Sequence, residues 1–191
     1  MVNREGAHFL LLNVGHFLDH LFMLIFATAA ALALASDWNM SYGQLITYAT
    51  SGFAAFAVFT IPAGWLADRW SREGMMAVFF IGIGASSAAT ALATTPLEMA
   101  VGLFAIGMFA AIYHPVGIAL VVHGRTRTGV PIAVNGIFGN LGVASAALIT
   151  ALLIDNIGWR SAFVWPGIAS VLLGFVYIMV VRGRSQEAQA R

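Results

Sequence analysis

Apolar residues fill six long stretches of the chain, separated by short segments that are polar or marked by glycine and proline. A helix needs about 20 apolar residues to cross the hydrocarbon core of a bilayer, and each stretch meets that length. None of them shows the strict polar–apolar alternation of a membrane β-barrel strand. The pattern predicts an all-α membrane protein with spans near residues 8–35, 42–67, 75–94, 97–122, 130–154 and 160–181.

The composition supports a membrane protein. Sixty per cent of the residues are hydrophobic, 9% are charged and the mean hydropathy is +0.88, whereas soluble domains carry about 25% charged residues. A net charge of +1, with no concentrated basic face, gives no indication of nucleic-acid binding. The chain has no cysteine, which excludes disulfides and thiolate zinc sites.

The basic residues indicate how the chain is oriented. All nine are arginines, and cytoplasmic segments of membrane proteins carry an excess of such residues. With six spans, residues 1–7, the loops 68–74 and 123–129 and the tail 182–191 share one side, and only Arg160 lies on the other. We therefore expect both termini in the cytoplasm, on the side that holds Arg4, Arg69, Arg72, Arg125, Arg127, Arg182, Arg184 and Arg191.

Ionisable residues interrupt the first span in the octet "GHFLDHLF". His16 and His20 are four residues apart and Asp19 is three from His16, so all three lie on one helical face, with Asn13 on the same side. An ionisable side chain that faces lipid costs about 2.5 kcal/mol or more. The face is therefore predicted to line the bundle interior or a wet cavity.

A second span carries a histidine at a comparable depth. His114 lies within the fourth span beside Tyr113 and Pro115, and counting 1.5 Å per residue from the inner ends places both His16 and His114 roughly 12–14 Å deep. Two spans thus present histidines near the middle of the bilayer. This arrangement favours a central site between helices one and four.

Three functions are compatible with these groups. Asp19 is a candidate protonatable carboxylate coupled to substrate movement. Alternatively, His16, Asp19 and His20 bind a metal, since "HFLDH" partly matches a zinc-protease pattern. In the third interpretation, His114 and a histidine of the first span ligate a haem. A purely structural role, in which the groups only hydrogen-bond one another, stays open for the histidines.

Small residues mark the fifth span. Gly136, Gly139 and Gly142 recur every three residues in "NGIFGNLG", which predicts close contact with a neighbouring helix. Asn135 and Asn140 lie beside this stripe. Both are candidate cavity residues, together with Tyr113.

The loop after the second span, "GWLADRWSREG", resembles the signature loop of the major facilitator superfamily, G-x-L-a-D-R-x-G-R-R. Gly64, Asp68, Arg69 and Arg72 match this motif, whereas Ser71 and Glu73 depart from it. The segments "GHFLDH", "YHPVG" and "GNLGVA" resemble bacterial drug-efflux members such as the fosmidomycin-resistance-like branch. In the efflux motif of helix five, however, Asn140 stands where the family has proline.

The resemblance implies half of the family's twelve-helix fold, with the six spans arranged as two inverted three-helix repeats. It implies that helices one and four line the central cavity and that Asp68 contacts an opposite half, with Arg69 and Arg72 pairing nearby. A second six-helix half, from another copy or a separate chain, would complete the shell.

We therefore expect a half-size or truncated secondary transporter of the inner membrane that moves a small solute by alternating access, coupled to protons through Asp19. This interpretation needs neither a cofactor nor catalytic residues. Two alternatives remain. One is a haem- or metal-binding membrane subunit that uses His16, His20 and His114. The other is a non-transporting membrane partner or regulator.

Overall fold

The computed structural model describes residues 4–189, and the regular structure in this range is entirely helical. Six helices are long and apolar enough to cross a membrane, which confirms the predicted all-α membrane fold. Residues 1–3 and Arg191, which counted toward the predicted cytoplasmic side, lie outside the described residues. The helices are α1 Arg4–Asp37, α2 Tyr42–Arg69, α3 Arg72–Thr90, α4 Pro96–Val122, α5 Gly129–Ile157 and α6 Trp159–Gln189.

Capping residues fix the beginnings of several helices. Ser41 before α2 and Thr95 before α4 each form a capping box with a Gln or Glu side chain three residues later. Such a box satisfies backbone N–H groups that the first turn leaves without partners. Between α5 and α6 the chain turns at Gly158, whose φ of 106° is readily adopted only by glycine.

Two of the helices contain a π-helical segment, Ala30–Leu34 in α1 and Tyr113–Gly117 in α4. The second encloses Pro115, which has no N–H to donate to the helical ladder. Each segment lies near the carboxyl end of its helix. π-helical turns occur frequently at functional sites.

The last helix is longer than the sequence predicts. The sixth span was placed at 160–181 with a polar tail after it, but α6 continues to Gln189. The Arg184 guanidinium explains this extension, because it makes ion pairs with Glu5 at 2.8 Å and Glu73 at 3.2 Å. These contacts hold the polar turns of α6 against α1 and α3.

The helices pack as two related groups of three. The most extensive contacts join α1 to α5, α2 to α4 and α3 to α6. Suppose that α1, α2 and α3 correspond to α4, α5 and α6 in that order. Exchanging corresponding helices then turns the α1–α5 pair into the α4–α2 pair and leaves the α3–α6 pair unchanged. This is the relation that two inverted repeats produce.

Glycines bring the paired helices close together. A Cβ on Gly107 of α4 would collide with the backbone of Gly52 on α2, and one on Gly84 of α3 would lie 2.5 Å from the Gly167 carbonyl oxygen on α6. On α5, a Cβ at Gly142 would meet the backbone of Phe17 on α1. Small residues at such crossings permit the van der Waals packing that drives helix association in lipid.

Candidate functional site

An acid and a histidine meet between α1 and α4. The Asp19 side chain is 1% exposed, and one of its oxygens, Oδ2, lies 3.4 Å from Nε2 of His114, whose side chain is 34% exposed. Within the described part of the chain, the other oxygen, Oδ1, is buried and has no hydrogen-bond partner. The structure thus places a carboxylate of the first helix beside the histidine of the fourth helix.

The two remaining predicted histidines lie in the same cluster. The Nδ1 atom of His16 lies 2.8 Å from the Asn135 carbonyl oxygen, and its Nε2 atom lies 3.2 Å from the Nε2 atom of His20. Because a carbonyl only accepts, His16 carries its proton on Nδ1 and presents a lone pair at Nε2. The His16 ring stacks on Tyr113 with 4.8 Å between centroids, and His114 meets it edge-on at 5.2 Å.

A buried hydrogen-bond network supports the cluster from behind. The Tyr113 hydroxyl donates to the Leu12 carbonyl at 2.8 Å, and the Asn135 amide lies 2.7 Å from that hydroxyl and 3.0 Å from the Asn13 side-chain oxygen. Asn13, Tyr113 and Asn135 are all at most 3% exposed. This network joins α1, α4 and α5. Asn13 shared the polar face in the sequence, but its contact with Asn135 was not predicted.

The π-helical segment of α4 supplies Tyr113 and His114 to the site. The wider turn around Pro115 lets Tyr113 point inward to Leu12 while the next residue, His114, reaches Asp19. Pro115 itself packs against α2, where a Cβ added to Gly64 would lie 3.3 Å from its Cβ. A glycine of the signature motif therefore lies directly against this segment.

A cavity of about 300 Å³ adjoins the cluster. Asp19 and His20 provide its polar wall, and its apolar wall combines residues of α1, α2 and α5, namely Met23, Leu24, Phe53, Phe56 and Val143. Ligand pockets are typically apolar clefts of about 300–1,000 Å³ with a few convergent polar groups. The cavity is thus large enough for one small organic molecule.

The predicted residues of α5 separate into two faces. Asn135 and Gly139 are buried against α1, and a Cβ on Gly139 would lie 2.7 Å from the ring of His16. Asn140 is exposed, and a Cβ on Gly136 would meet open space. The structure therefore brings Asn135, but not Asn140, into the cluster.

The signature loop forms a local ion pair. Arg72 donates to Asp68 at 2.7 Å, whereas Arg69 lies over the Trp65 ring at 4.3 Å. Ser71, one departure from the motif, is the N-cap of α3 and accepts from the Gly74 backbone N–H at 3.0 Å.

Glu73, the other departure from the motif, turns inward. It accepts hydrogen bonds from Tyr177 and Arg184 and lies 3.0 Å from Nε2 of His8. This contact group of Glu73, His8, Tyr177, Arg184 and Glu5 joins α1, α3 and α6. It also removes His8 from the central cluster, which leaves His16 and His20 as the first-helix candidates for ligation. The only sequence signal for it was the unexpected acid at position 73.

The three histidines of the cluster lie closer together than haem ligation would need, and they bring His114 to the predicted metal ligands. The ligating nitrogens of His16, His20 and His114 all lie within 4.8 Å of one another. A porphyrin between two of these rings would have to part them. A single metal ion could bind without separating the rings. His114 supplies a third histidine, which the sequence pattern around His16 and His20 did not contain.

Comparison with known proteins gives a consistent family. The profile of the Major Facilitator Superfamily matches residues 12–191. The niacin transporter of Acinetobacter baylyi is 27% identical over 152 residues, covering 77% of this chain and 33% of the relative. The 4-hydroxybenzoate transporter of Pseudomonas putida is 27% identical over 151 residues, covering 78% and 34%.

An export protein is also similar. The tetracenomycin C resistance and export protein of Streptomyces glaucescens is 28% identical over 156 residues, which cover 78% of this chain and 29% of the relative. The chain thus spans about a third of the length of the relatives that it matches. With the helical bundle, the paired repeats and the signature loop, these matches show that the chain belongs to the major facilitator superfamily and is a multi-pass membrane protein.

Proposed function

We propose that this chain forms one six-helix half of a secondary active transporter that moves a small solute by alternating access, coupled to protons through Asp19. The observation that carries the proposal is the buried Asp19 carboxylate, which faces His114 of another helix beside a cavity of about 300 Å³. Intramembrane carboxylates of this kind mark ion and substrate pathways, because their burial is costly.

The proton would exchange at Asp19 while α1 and α4 move. A buried carboxylate is stabilised either by a proton or by a cationic partner, and His114 can be that partner when it is protonated. Relative movement of α1 and α4 would change the 3.4 Å separation and therefore the electrostatic interaction between Asp19 and His114. This links protonation to helix position, which is the minimum requirement for coupling.

Small aromatic acids are the first solutes to test. The relatives include transporters of niacin, 4-hydroxybenzoate and gallate. The cavity offers Phe53 and Phe56 for ring contacts and His20 as a polar group. Another relative is an export protein, and a place in the fosmidomycin-resistance-like drug-efflux branch stays a prediction.

A second six-helix half would complete the transporter, either as another copy of the chain or as a separate chain. Large apolar side chains are exposed along α2 and α5, among them Phe53, Ile61, Ile137 and Leu141. Helices α2 and α5 are also less buried than α1, α3 or α4, and α6 is as little buried as α5. A partner half packed against these two helices would enclose the cavity.

The distribution of arginines predicts which end of the bundle faces the cytoplasm. Glu5, His8, Glu73 and Arg184 meet at one end of the bundle, so the described termini lie at the same end. The arginine excess at this end predicts that it faces the cytoplasm of a cell whose inner membrane holds the protein.

Transport by proteoliposomes tests the role of Asp19. We expect an imposed pH gradient to drive flux of at least one of nicotinate, 4-hydroxybenzoate and gallate, and Asp19→Asn to abolish that gradient dependence while the protein still folds. Asp155→Asn, at an exposed position near the end of α5, is the matched control and should behave as wild type. Gradient-driven flux that persists unchanged in Asp19→Asn would contradict the proposed coupling.

A further inference from the structure

We infer that His16, His20 and His114, with the Asp19 carboxylate beside them, form a binding site for a divalent transition-metal ion of the zinc, cobalt and nickel class. Three imidazole nitrogens lie within 4.8 Å of one another, and Oδ2 of Asp19 lies 3.4 Å from one of them. Three nitrogens and one carboxylate oxygen are a donor set that such ions accept. The inference is independent of whether the chain transports a solute.

Two of the separations between donor atoms match those around one tetrahedral ion. Ligand atoms that lie about 2.0–2.1 Å from a tetrahedral zinc ion are separated from each other by roughly 3.3 Å. His16 and His20 are separated by 3.2 Å at their Nε2 atoms, and His114 Nε2 and Asp19 Oδ2 by 3.4 Å. The remaining separations reach at most 4.8 Å among the histidines. Closing this gap requires rotation of the His20 and His114 side chains, both of which are half-buried.

The surroundings of His16 orient it as a metal ligand. Metal-binding histidines commonly donate their second ring N–H to a backbone carbonyl, which fixes the tautomer and the ring position. The Asn135 carbonyl does this for His16 at 2.8 Å. Tyr113 stacks on one side of the ring, and Gly139 leaves room for it where a Cβ would lie at 2.7 Å. The Nε2 lone pair is thereby directed at His20 and His114.

Asp19 gives an independent indication of a cation site. Its carboxylate is 1% exposed, and within the described residues Oδ1 has no hydrogen-bond donor. Buried polar atoms in folded proteins nearly always have a partner, and a buried carboxylate without one is especially costly. A metal ion in the histidine cluster would place positive charge near this carboxylate, whose other oxygen, Oδ2, faces His114.

The cavity provides an access route. His20 and Asp19 form its polar wall, so an ion entering the cavity of about 300 Å³ reaches donors of α1, and Asp19 lies 3.4 Å from His114 of α4. Imidazole donors favour zinc, cobalt, nickel or copper over magnesium and calcium, which prefer an oxygen-only shell. The ligand is therefore a transition-metal ion.

Cobalt is the best probe, because its visible absorption reports four-coordinate ligation. The full chain, purified without a histidine tag and held in nanodiscs, is titrated with Co²⁺ and then with Zn²⁺. We expect a visible tetrahedral band that saturates near one equivalent and disappears when Zn²⁺ displaces the cobalt. His114→Gln should weaken binding at least about 100-fold, since even the loss of a supporting outer group costs about 10–100-fold.

Matched variants separate ligation from misfolding. His123→Gln, in the exposed segment after α4, should bind Co²⁺ like wild type. His20→Gln provides a second ligand variant, and a variant enters the comparison if it elutes as a single species with an unchanged unfolding temperature. The inference is overturned if wild type gives no saturable band, or if His114→Gln and His20→Gln both retain wild-type affinity. The Asp19 transport assay is run in excess chelator, so that no metal ion is bound. A failure of metal binding can then be told apart from a failure of the proposed transport.

Discussion

At the residue scale, the position of His16 depends on the absence of a side chain at Gly139. The His16 ring is confined between Tyr113 and α5, and the Asn135 carbonyl holds its Nδ1 atom. A Cβ at Gly139 would lie 2.7 Å from two atoms of the ring, closer than carbon atoms approach without displacement. The space that Gly139 leaves between α1 and α5 is therefore needed to hold the His16 ring in the site.

Gly139→Ala is expected to displace His16 and impair the site. Overpacking a well-packed position costs about 1–3 kcal/mol, so the unfolding temperature should fall and Co²⁺ binding should weaken. Gly136→Ala is the matched control, because a Cβ at that position meets nothing within 4 Å. Thermal unfolding and cobalt titration of the two variants measure the effect, and equal behaviour of the pair would contradict it.

Some of the residues of this site could be predicted from the sequence. The spacing of His16, Asp19 and His20 gave one face, and counting residues placed His114 at the same depth, because ionisable groups avoid lipid. The sequence could not supply the Asn135 carbonyl as a partner, since every residue has such an acceptor. It also could not separate Asn135 from the exposed Asn140, because their orientation depends on how α5 packs against α1.

At the element scale, α1, α3 and α6 are joined at one end by the contact group of Glu73. His8, Tyr177 and Arg184 surround this carboxylate, and Arg184 also reaches Glu5. Each partner comes from a helix far away in the sequence, so neither periodicity nor a motif predicts the group. It explains why α6 continues through a polar segment that was expected to be a tail.

Removing one hydroxyl tests this junction. Tyr177→Phe deletes the O–H that donates to Glu73 and lies 3.3 Å from the His8 ring, in a side chain that is 0% exposed. Hydrogen bonds to charged groups contribute about 1.5–3 kcal/mol, so we expect a clear loss of stability against denaturant.

Tyr42→Phe, an exposed position at the start of α2, is the control for this change. It should leave stability unchanged. Unfolding curves for Tyr177→Phe and wild type that superimpose would show that the junction contributes nothing measurable.

At the scale of the whole molecule, hydropathy and the signature loop were sufficient to predict a six-helix bundle of the major facilitator type. Lipid forces each span to satisfy its own backbone, so length and apolarity alone indicate a helix. The π-helical segment Ala30–Leu34 was not predictable, because it contains no proline or charge that distinguishes it from an ordinary helix. The presence of such a segment in both α1 and α4 follows the repeat relation between those helices.

The central claim is that the polar face of α1 borders a water-filled cavity rather than lipid. The chain has no cysteine, so single cysteines can be introduced without removing any native residue first. His20→Cys lies on the cavity wall, and Leu172→Cys lies on an apolar face of α6 where the native side chain is 59% exposed. Labelling with a membrane-impermeant maleimide, with both membrane faces accessible, measures which of the two positions contacts water. The account predicts rapid reaction at His20→Cys and protection of Leu172→Cys. Equal protection at both positions would contradict it.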